Sequence, residues 1–319
     1  MSGPGRHCPS HYRYRPRELC KRTEPAQADV VYVAGGLYGN RLALDALEGL
    51  AARDRKQGLG VRLEFNGDFH WFDVDPATFE EINRRVLRHG AIVGNVELEL
   101  VEPDEDAGCG CAYPAWIPES VVARSNRIIE RLRATARNLP GACGALRALP
   151  RHKCLDLGGQ RILILHGDPE SLAGWGLARE SLAMPGHQQR VAGWLRETGV
   201  SLIACSHTCL PALWRVAPGR GEGLVANNGS AGMGNLLGDH RGLVTRISRG
   251  APSPSAVCRA RCGDLLVELV ALQFGRHEWW SLFRHWWPAG SPADLSYGRR
   301  IRHGTNLDPA SCVIGPDQY

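Results

Sequence analysis

The chain has 319 residues, 43% of them apolar and 22% charged, with a formal charge of +5. That length supports one large α/β domain or two small ones with a buried core, and the composition excludes a disordered or fibrous chain. The charge admits anionic substrates but lacks the dense Lys/Arg stripe of a nucleic-acid binder, and no stretch approaches the roughly 20 apolar residues of a membrane span.

No apolar leader precedes the first residues, and eleven cysteines in a chain this long do not form a small secreted framework. A cytoplasmic protein with reduced thiols is therefore expected. Residues 1–28 form an arm. Its segment Cys8–Pro16 is too aromatic for a disordered tail, so it is expected to pack over the domain or to cover part of a site with its arginines.

Val30-Val31-Tyr32-Val33 then runs as a strand into Ala34-Gly35-Gly36, with a helix from Asn40 to Leu50 whose free N–H groups would face an anion. Arg62–Phe65 alternates like a strand and stops at Asn66-Gly67-Asp68-Phe69-His70. Asp75-Pro76 starts a helix, with Phe79, Ile82 and Val86 on one face and Gly90 at its end. Ala91-Ile92-Val93 leads into Gly94-Asn95, and 102–118 reads as a loop holding Cys109-Gly110-Cys111.

An amphipathic helix is expected from about 119 to 139. Arg161–Leu165 ends at His166-Gly167-Asp168, a helix spans about 187–197, and Ser201–Ala204 ends near Ser206-His207-Thr208. From Leu224 onward, strands at 224–226, 242–247 and 265–270 suggest a second sheet facing the first. The tail is rich in tryptophan and reads as an apolar clamp onto the domain or a homodimer contact. The expected organisation is an arm (1–28), one domain (29–275) and a C-terminal extension (276–319), with no internal repeat.

Several strands thus deliver polar clusters to one edge, where open α/β sheets bind ligands. Asp68, Asn95, His166 and His207 make a mixed N/O donor set suited to Mn, Fe or Zn. Taken singly, each has a plainer explanation: a histidine after a strand is more often a hydrogen-bonded surface group, and an asparagine after glycine a turn residue. Cys205-x-x-x-Cys209 and Cys258-x-x-x-Cys262 lack the paired spacing of a structural zinc site, so buried inert thiols are expected.

In their order, these clusters resemble the motifs of the calcineurin-like metallophosphoesterases. Gly36-Leu37-Tyr38-Gly39-Asn40 stands at the first motif, Gly67-Asp68 at the second and Gly94-Asn95-Val96-Glu97 at the third. Leu165-His166-Gly167 stands at the fourth, Ser206-His207-Thr208-Cys209 at the fifth, and Asn228-Gly229-Ser230 closes a set covering roughly residues 28–250. The resemblance implies a four-layer αββα sandwich of two mixed sheets with the site at the strand ends. It also implies metal-dependent hydrolysis of a small anionic phosphate-containing substrate.

By the same resemblance, Asp68, Asn95, His166 and His207 match one complete metal position, with Asp68 as the bridge to a second. That second position has Gly36 and Tyr38 where the family has Asp and His, and Cys209 in place of its last His. One or two divalent ions per chain are therefore open, with Cys209 a candidate thiolate ligand and His70, Cys205, Cys109 and Cys111 further candidates. The family's leaving-group acid matches Val96, which leaves His70 as the nearest substitute by sequence. Asp68, His70, Asn95 and His207 are the expected catalytic set, while Asp168, Asn227, Asn228 and His240 are weaker orienting candidates. Three readings follow: a mononuclear phosphoesterase, a dinuclear enzyme with rebuilt ligands, and a catalytically inactive binding scaffold.

Overall fold

The computed structural model describes residues 3–216, 223–250 and 252–314. Thirteen strands form two mixed sheets. In chain order they are β1 (Glu24–Pro25), β2 (Val30–Ala34), β3 (Val61–Asn66), β4 (Gly90–Ile92), β5 (His152–Leu157), β6 (Gln160–Leu165) and β7 (Leu202–Cys205). β8 (Pro211–Arg215), β9 (Leu224–Asn228), β10 (Gly242–Ser248), β11 (Ala256–Cys262), β12 (Leu265–Leu272) and β13 (Val313–Ile314) follow. One sheet has the order β11-β12-β10-β2-β3-β4, with β2, β3 and β4 parallel. The other has the order β1-β5-β6-β7-β9-β8-β13, with β6, β7 and β9 parallel.

The layers follow from the period of two along each strand. Val31 and Val33 of β2, with Ile162 and Ile164 of β6, lie in the core between the sheets. Val30 and Tyr32 point the other way, onto helices; so do Leu163 and Leu165. A strand covered on both faces must be apolar at every position, which is why these segments read as continuous apolar runs.

The helices close the outer faces: α1 (Pro16–Leu19), α2 (Arg41–Lys56), α3 (Pro76–Val86), α4 (Asn95–Val101), α5 (Glu119–Ala136), α6 (Pro140–Arg147), α7 (Arg179–Leu182), α8 (His187–Thr198), α9 (Arg276–Trp286) and α10 (Pro292–His303). Their ends carry the expected chemistry. Asn40 and Asp75 accept the N–H groups of Ala43 and Thr78 at 3.1 and 2.9 Å, and α8 stops at Gly199 in the left-handed conformation. Leu44, Leu47, Phe79 and Ile82 bury their faces against the six-stranded sheet, and Val191, Trp194 and Leu195 theirs against the seven-stranded one. No helix of the described residues is long and apolar enough to cross a membrane.

Two expectations are corrected, and one unassigned segment, that after Asn95, proves helical. The strands after Leu224 do not form a sheet of their own: β9 joins β7, while β10 pairs antiparallel with β2 and β12. Alternation reveals that a segment is a strand but not which neighbour it pairs with. The helix expected over 119–139 ends at Ala136, and Pro140, tolerated only in a first turn, starts α6. The segment after Asn95 is the short helix α4.

The terminal segments are bound tightly. The arm adds β1 to the edge of the seven-stranded sheet, buries Tyr12 and sends its hydroxyl to Glu99 Oε1 at 2.6 Å. Arg6 donates to the carbonyls of Pro114 and Ile117 and to Glu119. At the other end α10 packs on α5 and α9. Just after α9, Trp287 is buried, donates its indole N–H to Phe72 O at 2.9 Å and lies under the Arg131 guanidinium. Trp287→Ala removes that packing and leaves the Phe72 carbonyl without its donor; a loss of about 3–5 kcal/mol is expected. Urea unfolding checks this, and an unchanged midpoint would contradict the anchoring role.

Candidate metal centre

Four strand ends meet at one edge. β3 breaks at Gly67 and Asp68, both at positive φ (94° and 54°), and this bend lifts the Asp68 carboxylate over the sheet. β4 runs through Gly94 to Asn95, the first residue of α4. β6 ends before His166 and β7 before Ser206-His207. The approach is so close that a Cβ on Gly94 would stand 2.3 Å from Asp68 Oδ1, and one on Gly67 2.8 Å from His166 Nδ1. Only glycine fits either place.

The buried Glu97 ties two of these turns together. Its carboxylate accepts N–H groups from Asp68 at 2.7 Å, Gly94 at 2.9 Å and His70 at 3.1 Å. Burial, then Asp68, pushes the Glu97 carboxyl above its ordinary range.

Asp68, Asn95, His166 and His207 are brought together. His166 Nε2 lies 3.0 Å from Asn95 Oδ1, 3.1 Å from His207 Nδ1 and 3.4 Å from Asp68 Oδ1. Ligand atoms of Asp68, His166 and His207 all lie within 4.8 Å of one another. The outward side of each group explains what the inward side must be. His166 Nδ1 faces the carbonyl of Asn66 at 2.8 Å, and His207 Nε2 faces that of Cys111 at 3.1 Å. A carbonyl accepts only, so both of those nitrogens carry the proton and the other two present lone pairs. Asn95 gives its amide N–H to Cys109 O at 3.0 Å, which turns Oδ1 inward. With His166 neutral, four acceptors therefore converge with no donor among them. Such a set, oriented from behind by backbone carbonyls, could hold a divalent cation.

The electrostatics agree. Burial, and then His166, drive His207 down to about 3, so it is neutral. Burial, the largest influence, also pulls on His166, but Asp68 and the Asn66 carbonyl outweigh it and raise His166 above its ordinary value. A proton on Nε2 and a cation compete for the same lone pair.

Tyr38 and Cys209, which the motif resemblance sets at a second metal position, are in contact with each other. Tyr38, at φ 55°, folds over Gly36 so that a Cβ there would stand 3.0 Å from the Tyr38 ring and hydroxyl. That hydroxyl lies 2.7 Å from Cys209 Sγ. Burial pushes both the Tyr38 phenol and the Cys209 thiol up.

The remaining candidates stand as follows. His70 is fully buried, stacked at 3.7 Å on Phe79, with Nδ1 2.7 Å from Asp73 Oδ2; it does not line the cavity over the cluster. Cys205 packs on the far face with Leu165 and Trp194. Cys109 and Cys111 lie side by side, Sγ to Sγ 2.7 Å, and it is their carbonyls that touch the ligands. Asp168 accepts N–H groups of Glu170, Ser171 and Gly176 within its own loop. Asn227 donates to Thr208 Oγ1, Asn228 to Gly35 and Leu243 carbonyls, and His240 contacts Phe274 O.

A cavity of about 180 Å³ opens over Asp68, Asn95 and His207. Sequence reasoning missed three of its parts: Trp175, whose indole donates to Cys111 O at 2.9 Å; Tyr113 from the loop; and Tyr297 from α10. A larger open groove of about 830 Å³ runs along the arm past Arg13, Lys21 and Arg151 but contains none of the four ligands.

Neither a family model nor a curated protein matches the sequence. Solved structures match in fold. A hypothetical protein from Pyrococcus horikoshii OT3 is 15% identical with a TM-score of 0.60, covering 87% of this chain and 99% of its own. A metallophosphoesterase from Sphaerobacter thermophilus is 17% identical with a TM-score of 0.52, covering 87% of this chain and 100% of its own. Two mixed sheets of seven and six strands, flanked by helices, are consistent with the metallophosphoesterase fold.

Where His166 carries a second proton on Nε2, a cation binding to Asp68, Asn95, His166 and His207 must displace it. Metal affinity is therefore expected to fall as pH drops through the raised value of His166, with a proton released on binding. Calorimetric titration in buffers of different ionisation heat measures that release; affinity indifferent to pH would contradict the cluster.

Proposed function

We propose that this chain, folded as a calcineurin-like metallophosphoesterase, is a metal-dependent hydrolase of phosphate esters that works with one divalent cation held by Asp68, Asn95, His166 and His207. The observation that supports this reading most is the asymmetry between the two metal positions. One keeps four converging lone pairs with their supporting carbonyls, while the other is closed by the Tyr38–Cys209 contact. Decay without function gives no reason to spare every ligand of one position and lose Asp and His ligands that belong to the other alone.

When bound, Mn, Fe or Zn would polarise a phosphoryl oxygen and lower the pKa of a water. The chain's own groups do the rest. Asp68 supplies the negative charge, held in place by the Val96 N–H at 3.2 Å. The carbonyls of Asn66, Cys109 and Cys111 fix the ring and amide orientations. Thr208 accepts from Asn227 and so keeps its own hydroxyl proton for an anionic oxygen in the cavity. His70, locked between Asp73 and Phe79, positions the Asp68 turn through its backbone N–H on Glu97 rather than reaching the substrate.

A second reading, a scaffold that binds a small anion or a protein without turnover, is favoured by one observation: Val96 lines the cavity where the family's proton donor stands. Elemental analysis together with turnover separates the two. One cation per chain and hydrolysis of a phosphate ester are expected, with Asp68→Asn and His207→Ala each losing metal and at least about 10²-fold in rate. Turnover that survives either substitution rejects the site, and metal without turnover of any ester supports the scaffold.

A further inference from the structure

Resting on the proposed hydrolysis, the cavity's own chemistry names a substrate class. Its floor is three of the four cage residues, and its walls are largely aromatic: Trp71, Tyr113, Trp175 and Tyr297. Trp175 packs edge-on against His207 at 5.5 Å and against Trp116 at 6.3 Å, and Trp116 is 54% exposed, so aromatic surface runs from the cage to solvent. A volume of about 180 Å³ is slightly more than the roughly 150 Å³ of an apolar cavity known to hold benzene. One aromatic ring fits beside the cage.

Charge narrows the class. Among the described residues no lysine or arginine lines this cavity. A divalent cation on one carboxylate, two neutral imidazoles and an amide leaves a single net positive charge, and in a desolvated site that charge is balanced by one negative charge, not two. A phosphate monoester carries two near neutrality; a diester or a phosphonate monoester carries one.

The leaving group narrows it further. Val96 presents only an isopropyl group to the cavity, the Tyr38 hydroxyl is engaged with Cys209, and the Tyr113 hydroxyl with Ser125 at 2.9 Å, while the Tyr297 phenol, beside the Trp71 indole, is pushed up by burial and is a weaker acid than a free phenol. The Thr208 hydroxyl is an aliphatic alcohol, too weak an acid to protonate a departing oxygen. A leaving group must then depart as a stable anion.

We infer that the site takes singly charged aryl phosphodiesters or aryl phosphonate monoesters and expels the aryl oxide. In that step the oxygen of water forms a bond to phosphorus and the phosphorus–aryl oxygen bond breaks. The aryl oxide leaves with the bonding pair, the attacking water loses one proton to solvent, and solvent later protonates the aryl oxide.

The test uses the full chain loaded with Zn²⁺ and three esters: methyl 4-nitrophenyl phosphate, 4-nitrophenyl phosphate and methyl phenyl phosphate. The first is expected to exceed the second in kcat/KM by about tenfold or more, a difference of about 1.4 kcal/mol. It is expected to exceed the third by about 10²-fold or more, as the missing acid dictates. Val96→His should narrow the gap between the nitrophenyl and phenyl diesters.

Preference for the doubly charged ester, or equal turnover of the two diesters, overturns the inference while leaving the hydrolase reading intact. A binding measurement stands apart from turnover: methyl phenylphosphonate should quench tryptophan fluorescence at lower concentration than phenylphosphonate above about pH 8, where the latter is doubly charged. Quenching in the reverse order overturns the inference. If no ester turns over, the hydrolase reading fails, and the quenching order alone decides whether the cavity takes singly charged aryl ligands.

Discussion

Four electron-pair acceptors pointed at one another are a repulsive arrangement, and the rest of the site exists to hold it. A carboxylate oxygen, an amide oxygen and two imidazole nitrogens share a space in which none can donate to the next once the imidazoles are neutral. Each is restrained from behind, by the Asn66, Cys109 and Cys111 carbonyls and by the Val96 N–H. A cation, or the extra proton that His166 is disposed to carry, relieves the repulsion. The fold supplies rigidity for this: parallel strands from both sheets end at the same edge, and Glu97 ties the turns after β3 and β4 into one unit.

Backbone conformation tells the same story. Among the described residues, five that are not glycine take positive φ: Gln27, Tyr38, Asp68, Ala112 and Cys209. Three of them are Asp68 and the Tyr38–Cys209 pair, and Ala112 follows the carbonyl that holds His207. Residues in this conformation cost of order 1–3 kcal/mol and persist where surrounding structure over-determines them. Here that cost falls where side chains must be aimed against the run of the strand.

The residues of the cage were legible in the sequence because each follows an apolar run, although the carbonyls behind His166 and His207 come from 100 and 96 positions away. Asp68, Asn95, His166 and His207 needed only the strand ends and their order. The layers were legible too, since Val30–Ala34 and Arg161–Leu165 are apolar on both faces. What was not legible depends on pairing across distance. The sheet membership of β9, β10 and β12 is one case. The Tyr38 hydroxyl meets Cys209 from 171 positions away, and Trp175 reaches Cys111 O from 64 away. His70 misled for the opposite reason: it stands two residues from Asp68, and adjacency in sequence said nothing of the side on which its ring would lie. Asp73, three residues on, takes that ring into the core.

Tyr297 gives the site an order of assembly. The cage draws on residues 68–207, but one wall of the cavity above it is Tyr297 of α10, and the same helix sends Arg300 to Cys209 O at 2.6 Å. On a ribosome, the cation ligands emerge some ninety residues before the helix that closes over them, at synthesis rates of about 5–20 residues per second. During those seconds the cage edge lies open on that side, more accessible to ions from the surrounding water than in the finished fold. If the proposed cation binds, its loading and the closure of the cavity above it are separable events in the life of one chain.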